Sequence, residues 1–274
     1  MNELFKRTAT GIIYILFLLS AIMLDEGAFD FLFLSFGLVC MYEFKKLIRL
    51  QGLHVYLIFL FFWWLFIHLQ VSVFSIYILL LFTIIANVYL TIMLFYGKTP
   101  LRYAPYSHKL IISMLYIGAG CVFIPLIYKH ECIKSYSVGE AQLTMIGILC
   151  IIWASDSFAY LTGKNFGKHK LFEKISPKKT VEGFVGGLIG AILTAYVISI
   201  YSNKEIWSWI VLAIVLVTTG TVGDLVESSF KRVAKVKDSG RILPGHGGLL
   251  DRLDSLIFAS PFAFFVLQIL YYFS

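Results

Sequence analysis

Apolar residues fall along this chain in nine long runs, at about 9–24, 27–42, 53–69, 73–96, 110–128, 141–161, 183–201, 206–223 and 255–273. The runs are continuous rather than alternating, so they predict membrane-crossing helices, not the strands of a barrel. Several fall short of the roughly 20 residues an upright span needs, and 27–42 is the weakest. Polar residues concentrate instead in two segments, 164–180 and 224–254. The pattern predicts an all-α, polytopic membrane protein with about nine transmembrane helices. About five lie in an N-terminal region, residues 1–140, and about four in a C-terminal region, residues 141–274, which carries both polar segments.

Composition agrees with this reading. The chain has 274 residues, 59% hydrophobic and 14% charged, with a mean hydropathy of +0.84, too apolar for a soluble domain of this length. The basic, apolar N-terminus is followed by Asp25-Glu26 without a small-x-small cleavage site, so it reads as a retained first span. Cys40, Cys121, Cys132 and Cys150 form no CxxC or Cys/His cluster and are expected to be buried hydrophobes. When loops are assigned to alternate sides of nine spans, twenty of the 23 Lys and Arg residues fall on one side, and only Lys129, Lys134 and Lys204 on the other. Cytoplasmic loops are the basic ones, so the N-terminus and both polar segments are expected in the cytoplasm.

The first five spans carry little visible chemistry, and His54 and His68 are isolated. The character changes at Trp153. Asp156 stands about seven residues, or roughly 10 Å, inside its span, where a carboxylate usually faces a polar cavity, a cation or a basic partner. The loop after it carries Lys164, Lys168, Lys170, Lys174, Lys178 and Lys179 against Glu173. Its GKNFGK is no Walker A loop, because the glycine spacing is short and His169 replaces the required Ser/Thr. In SPKKT, Ser176 is expected to cap a helix with Pro177 in its first position and Lys178 and Lys179 in its first turn. Lysines there suit an anionic guest, although a loop that merely fixes topology has the same composition. In EGFVGGLIG, the glycine pairs 183/187 and 186/190 are four apart, a spacing that favours close helix packing.

The densest chemistry lies between Gly223 and Ser255, with six basic residues (Lys231, Arg232, Lys235, Lys237, Arg241, Arg252) and five acidic ones (Asp224, Glu227, Asp238, Asp251, Asp254). Asp224 ends one span and Asp251 precedes the next, so antiparallel neighbours could bring both to one level. Hard divalent cations are bound by one or two such carboxylates together with substrate phosphate oxygens. If helix continues through 237, Asp224, Ser228, Lys231 and Lys235 share a face. Asp251, Asp254 and Ser255 share another. Between them, Asp238-Ser239-Gly240 and Leu243 to Gly248 are expected to form loop, whose backbone N–H groups and following helix start could cradle a phosphate.

The string from Ser229 to Ser255, with its K-D-S-G, L-P-G-H-G-G and D-R-x-D-S elements, closely resembles the signature of the phosphatidate cytidylyltransferases, or CDP-diacylglycerol synthases. The W-x2-D-x3-Y-x2-G pattern from Trp153 to Gly163, FGKHKL and SPKKTVEG resemble that family too. The resemblance implies Mg²⁺-dependent transfer of a cytidylyl group from CTP to phosphatidate, with a second cation left open. The implied partners are CTP, phosphatidate and membrane lipids. No nucleic acid is expected, and a homodimer is left open.

On this reading Asp224 and Asp251 are the first metal ligands, with Asp254 beside them. Lys231, Arg232, Lys235, Lys237 and Arg252, with Lys178 and Lys179 across the site, are phosphate contacts, Lys231 and Arg252 nearest the chemistry. Asp156 organises the cavity, and His246, Gly247 and Gly248 belong to the nucleotide loop. Two rivals stay open at this level: a CTP-dependent lipid kinase or a cytidylyltransferase for another lipid phosphate, and an ion-coupled transporter lined by Asp156 and the glycine-rich span.

Overall fold

A computed structural model describes residues 3–69, 72–96, 100–135, 137–245 and 247–273; side chains are described from residue 10 onward, except those of residues 100, 131–135 and 273. Its helices are α1 (Glu3–Leu24), α2 (Glu26–Leu47), α3 (His54–Ile67), α4 (Val73–Phe95), α5 (Tyr106–Ser113), α6 (Ala119–Ser135), α7 (Val138–Phe166), α8 (Val181–Tyr201), α9 (Ile206–Ala234) and α10 (Leu250–Phe273). A π turn at Met114–Gly118 joins α5 to α6 as one helical run, so each of the nine apolar segments falls on one helical run. Seven of these runs are long and apolar enough to cross a membrane, while those at Thr10–Leu24 and His54–Ile67 are shorter. Exposed Leu16, Phe17, Phe74, Phe82, Ile189 and Leu193 give the bundle an apolar outer surface, as lipid contact requires.

The core is aromatic around α2, α9 and α10. Phe44 packs edge-on against Phe230 and Tyr116, and Tyr116 against Phe258. Pro261 lies within α10 and lacks the N–H that would bond to the Ile257 carbonyl. The Ser260 hydroxyl lies 3.1 Å from that carbonyl and 2.7 Å from the Gly120 carbonyl of α6, so the break in the helix becomes an interhelical tie.

One end of the bundle gathers the basic segments. Thr10 donates to the Pro244 carbonyl at 3.1 Å, Arg102 to the Leu47 carbonyl at 3.0 Å and Arg232 to the Ile175 carbonyl at 3.1 Å. At the other end Lys129 bridges Glu26 and Asp30 at 3.0 and 2.8 Å, and Lys204 reaches Thr144 at 3.0 Å. This division matches the alternation of loops expected from the charge count.

The lysine loop departs from expectation. SPKKT is not a helix start. It is strand β2 (Ser176–Thr180), paired antiparallel with β1 (Lys170–Phe172). The cap of α8 is Thr180, whose Oγ1 accepts from the Gly183 N–H at 3.1 Å. Glu182 closes the hairpin base by accepting from the Lys168 and His169 N–H groups at 3.0 and 3.2 Å and from His169 Nδ1 at 2.7 Å. Lys178 and Lys179 therefore stand on a strand beside the bundle rather than over a helix dipole.

The glycines of α8 do what their spacing predicts. A Cβ at Gly183 would lie 2.9 Å from the Ala159 carbonyl, and one at Gly187 2.9 Å from the Ser155 carbonyl, so α8 lies against the backbone of α7. Alanine at 187 gains about 1 kcal/mol of helix propensity, but overpacking of this kind costs about 1–3 kcal/mol. Gly187→Ala is therefore expected to lower the thermal unfolding midpoint of the detergent-solubilised protein. A raised midpoint would show that α7 and α8 separate freely.

Candidate active site

Helices α9 and α10 approach closely because α9 presents Gly220 and Gly223 to α10; a Cβ at Gly220 would lie 3.4 Å from Ser255 Cβ, and one at Gly223 3.1 Å from the Asp254 carbonyl. That approach brings carboxylates from two helices together. Asp224, Glu227 and Asp254 offer oxygens that lie within 4.8 Å of one another. Asp224 lies at 30% side-chain exposure, pairs with Lys179 of the hairpin and accepts from Ser228 at 3.2 Å. Asp254 is buried and accepts from the Ser255 N–H at 2.6 Å.

Glu227 was not singled out from the sequence, where it looks like an ordinary helix glutamate. It is fully buried and ion-paired with Lys231, yet neither of its oxygens has a hydrogen bond of good geometry among the described residues. A carboxylate in that state is costly to bury.

Lys231 and Asp251 form the second tie. The Lys231 ammonium lies between Glu227 and Asp251 and donates to Asp251 Oδ1 at 2.6 Å, with only 11% of its side chain exposed. Asp251 Oδ2 accepts from the Ser239 N–H at 2.9 Å, the Ser239 hydroxyl at 3.0 Å and the Gly248 N–H at 2.7 Å. Asp251 is thus the organiser of the loop as well as a neighbour of the carboxylate cluster.

Glu43, from α2, completes that loop. It is buried and accepts from the Leu249 and Leu250 N–H groups at 3.2 and 2.8 Å and from the Ser239 hydroxyl at 3.0 Å. Two expectations are corrected here. The first five spans do carry chemistry, because α2 reaches the polar loop. The N–H groups of Gly248, Leu249 and Leu250, expected to cradle a phosphate, are already bonded to the protein's own carboxylates. Gly247, at φ +89°, accepts from the Leu243 N–H at 3.0 Å through its carbonyl and closes the loop turn. His246 lies outside the described residues.

The remaining predicted residues divide between contact and surface. Helix α9 stops at Ala234 with Lys235 in a left-handed cap at φ 58°, which turns Lys235 away from the face shared by Asp224, Ser228 and Lys231. Arg232 is committed through Nε to the Ile175 carbonyl, so it holds the hairpin turn to α9. Lys237 and Arg252, with Arg241, line an open cleft of about 610 Å³ over the loop. Asp156 is exposed where two further clefts meet. One, of about 480 Å³ between α7, α8 and the hairpin, is lined by Lys164, Lys170, Lys178 and Lys179 together with Phe184 and Val217. The other, of about 220 Å³, is lined by Tyr14, Arg252 and Asp254.

Removal of one partner from a buried ion pair strands the other charge and costs about 3–5 kcal/mol, whereas a partly exposed pair contributes about 0–1 kcal/mol. Lys231→Met is therefore expected to lower the thermal midpoint steeply, and Lys179→Met hardly at all, when both are measured by unfolding in detergent. Equal effects would contradict the burial of the Lys231 pairs.

Comparison with known proteins bears on what this arrangement is for. Residues 5–270 match the model of the cytidylyltransferase family. The chain is 32% identical to a phosphatidate cytidylyltransferase of Bacillus subtilis over 291 aligned residues, covering 98% of this chain and 99% of the relative. It is 43% identical to that of Staphylococcus saprophyticus and 42% identical to that of Staphylococcus aureus, each over 153 residues and 55% of both chains. Matched along nearly its whole length, through both ends of the bundle and every element of the site, this chain belongs to the cytidylyltransferase family.

Proposed function

We propose that this protein is an integral membrane enzyme that transfers the cytidylyl group of CTP to phosphatidate, releasing pyrophosphate and forming CDP-diacylglycerol. One observation carries the reading: within a chain that matches the family over residues 5–270, a carboxylate cluster is tied through the Asp224–Lys179 pair to a lysine hairpin that lines a cleft with apolar walls. Its mixed lining suits a substrate with an anionic head and acyl tails. The basic cleft over the loop, with Lys237, Arg241 and Arg252, suits the triphosphate of a soluble nucleotide.

The chemistry asks little of a general base. A phosphatidate oxygen, already anionic near neutral pH, attacks the α-phosphorus of CTP; the new P–O bond forms as the bond to pyrophosphate breaks, and the electron pair leaves with pyrophosphate. What the protein must supply is alignment and neutralisation of charge. Lys178, exposed on β2, with Lys164 and Lys170 can hold the lipid phosphate, and Arg252 lies between the loop cleft and Asp254.

The residues present fit a divalent cation. Asp224, Glu227, Asp251 and Asp254 are four carboxylates, of which Asp224 pairs with Lys179 while Glu227 and Asp251 share Lys231, a set rich in the oxygen donors that hard divalent cations take. Glu227, fully buried and sharing the single Lys231 ammonium with Asp251, points the same way. In this proposal Asp224, Glu227 and Asp254 would hold Mg²⁺, with Asp251, whose oxygens serve Lys231 and the loop, placed beside them; a second cation is left open. When bound, Mg²⁺ would neutralise phosphate oxygens and the developing charge on the leaving group. The protein's own part is to hold those donors rigidly and to present lysines around them.

The concentration of basic loops at the end that carries the site supports a cytoplasmic orientation, where CTP is available.

Purified protein supplied with labelled CTP, phosphatidate and Mg²⁺ is expected to yield CDP-diacylglycerol and pyrophosphate, with activity lost to a chelator and restored by Mg²⁺. CDP together with a lipid that has gained one phosphoryl group would identify a kinase instead, and solute flux in sealed vesicles without CTP consumption a transporter. Asp224→Asn is expected to reduce kcat by on the order of 100-fold, the scale of losing one electrostatic contact to a transition state. A folded Asp224→Asn protein with full Mg²⁺-dependent transfer would remove Asp224 from the metal set.

A further inference from the structure

Glu43 lies on α2, roughly two hundred residues before the loop it touches, and is 1% exposed. A carboxylate buried so completely persists only where its oxygens are well served. Its donors are the two N–H groups at the start of α10 and the Ser239 hydroxyl, so the positive end of the α10 dipole also faces it. Ser239 is the hinge of the arrangement. Its hydroxyl lies 3.0 Å from both Glu43 Oε2 and Asp251 Oδ2, and its N–H is 2.9 Å from the latter.

The neighbouring glycines fit around this carboxylate. A Cβ at Gly240 would collide with Glu43 Oε1, and one at Gly248 would meet Glu43 Oε2 at 2.5 Å as well as the Ser239 hydroxyl. The two glycines make room for Glu43 rather than for a substrate phosphate. From Asp251 the chain of contacts continues to Lys231 and Glu227.

We infer that Glu43 is a positioning residue for cytidylyl transfer: by clamping Ser239 and the start of α10 it fixes Asp251, and through Asp251 the Lys231 ammonium. The inference rests on the function proposed above. It says nothing of Glu43 touching either substrate.

The test compares Glu43→Gln, Ser239→Ala and the double variant with the unsubstituted protein, each purified in detergent and assayed for CDP-diacylglycerol per folded molecule, with the folded fraction taken from thermal unfolding. Glutamine keeps the shape of Glu43 but removes its charge and one of its two accepting oxygens, so the clamp on the Leu249 and Leu250 N–H groups and the Ser239 hydroxyl is left with one oxygen in place of two. A loss of at least about tenfold in kcat is expected from Glu43→Gln, as misplacement at a distance from chemistry can bring about 100-fold. The double variant is expected to lose no more than the worse single, since both act through Asp251. A kcat for Glu43→Gln within twofold of the unsubstituted protein, or losses that multiply in the double variant, would overturn the assignment. If Glu43→Gln does not fold, Gly240→Ala, which displaces the carboxylate without removing it, is judged by the same criteria. If neither folds, Glu43 is a structural residue and the assignment fails. An unsubstituted protein that makes no CDP-diacylglycerol would sink the proposed function instead.

Discussion

The buried Lys231 ammonium between Glu227 and Asp251 is the interaction on which the polar end of this bundle depends. Without it, two carboxylates from different helices would face each other in a setting with little water, and α9 and α10 could not keep the approach that Gly220 and Gly223 permit. With it, Asp251 is free to use its other oxygen on the loop. Charge thereby does two jobs: it holds the helices together at one level and fixes the loop that covers them. One ammonium thus answers two carboxylates, one from each helix.

The hairpin is held by the same economy of contacts. Lys179 pairs with Asp224, Arg232 holds the turn at Ile175, and Glu182 closes its base. Lys179, Asp224, Arg232 and Glu182 are therefore occupied in holding the hairpin that walls a cleft, while Lys178 stays exposed within it. The division between wall and contact is set by which side chains find partners in the bundle, and net charge alone does not reveal it.

Much of the fold could be read from the chain because long apolar runs leave few alternatives in a membrane, and each of the nine met one helical run. That two antiparallel helix ends bring carboxylates to one level was legible too, but the expected partner of Asp224 was Asp251, whereas the oxygens beside Asp224 are those of Glu227 and Asp254. The hairpin was not. Ser176-Pro177 carries a good helix-cap signal, and pairing with Lys170–Phe172 overrode that local preference. Glu43 was invisible for a different reason. One glutamate at the edge of an apolar run has no local pattern, and its meaning appears only when a loop 196 residues away folds onto it. Glu227 was hidden in plain view, because helix periodicity does not distinguish a glutamate facing solvent from one facing Asp254. Two of the loop glycines, Gly240 and Gly248, make room for Glu43, which no pattern around either of them announces.

The clamp formed by Glu43 has a consequence for biosynthesis. Its partner N–H at Leu250 lies 207 residues downstream, so α2 emerges from the ribosome long before the segment that satisfies it. Through that interval Glu43 must wait at the bundle's edge, in contact with water, headgroups or a provisional partner. Contacts of such long sequence separation form late, after the entropy of closing the intervening chain has been overcome. The loop and its carboxylates therefore come into register only as α10 enters the membrane, and a nascent chain halted before that point would hold most of the helices and none of the assembled chemistry.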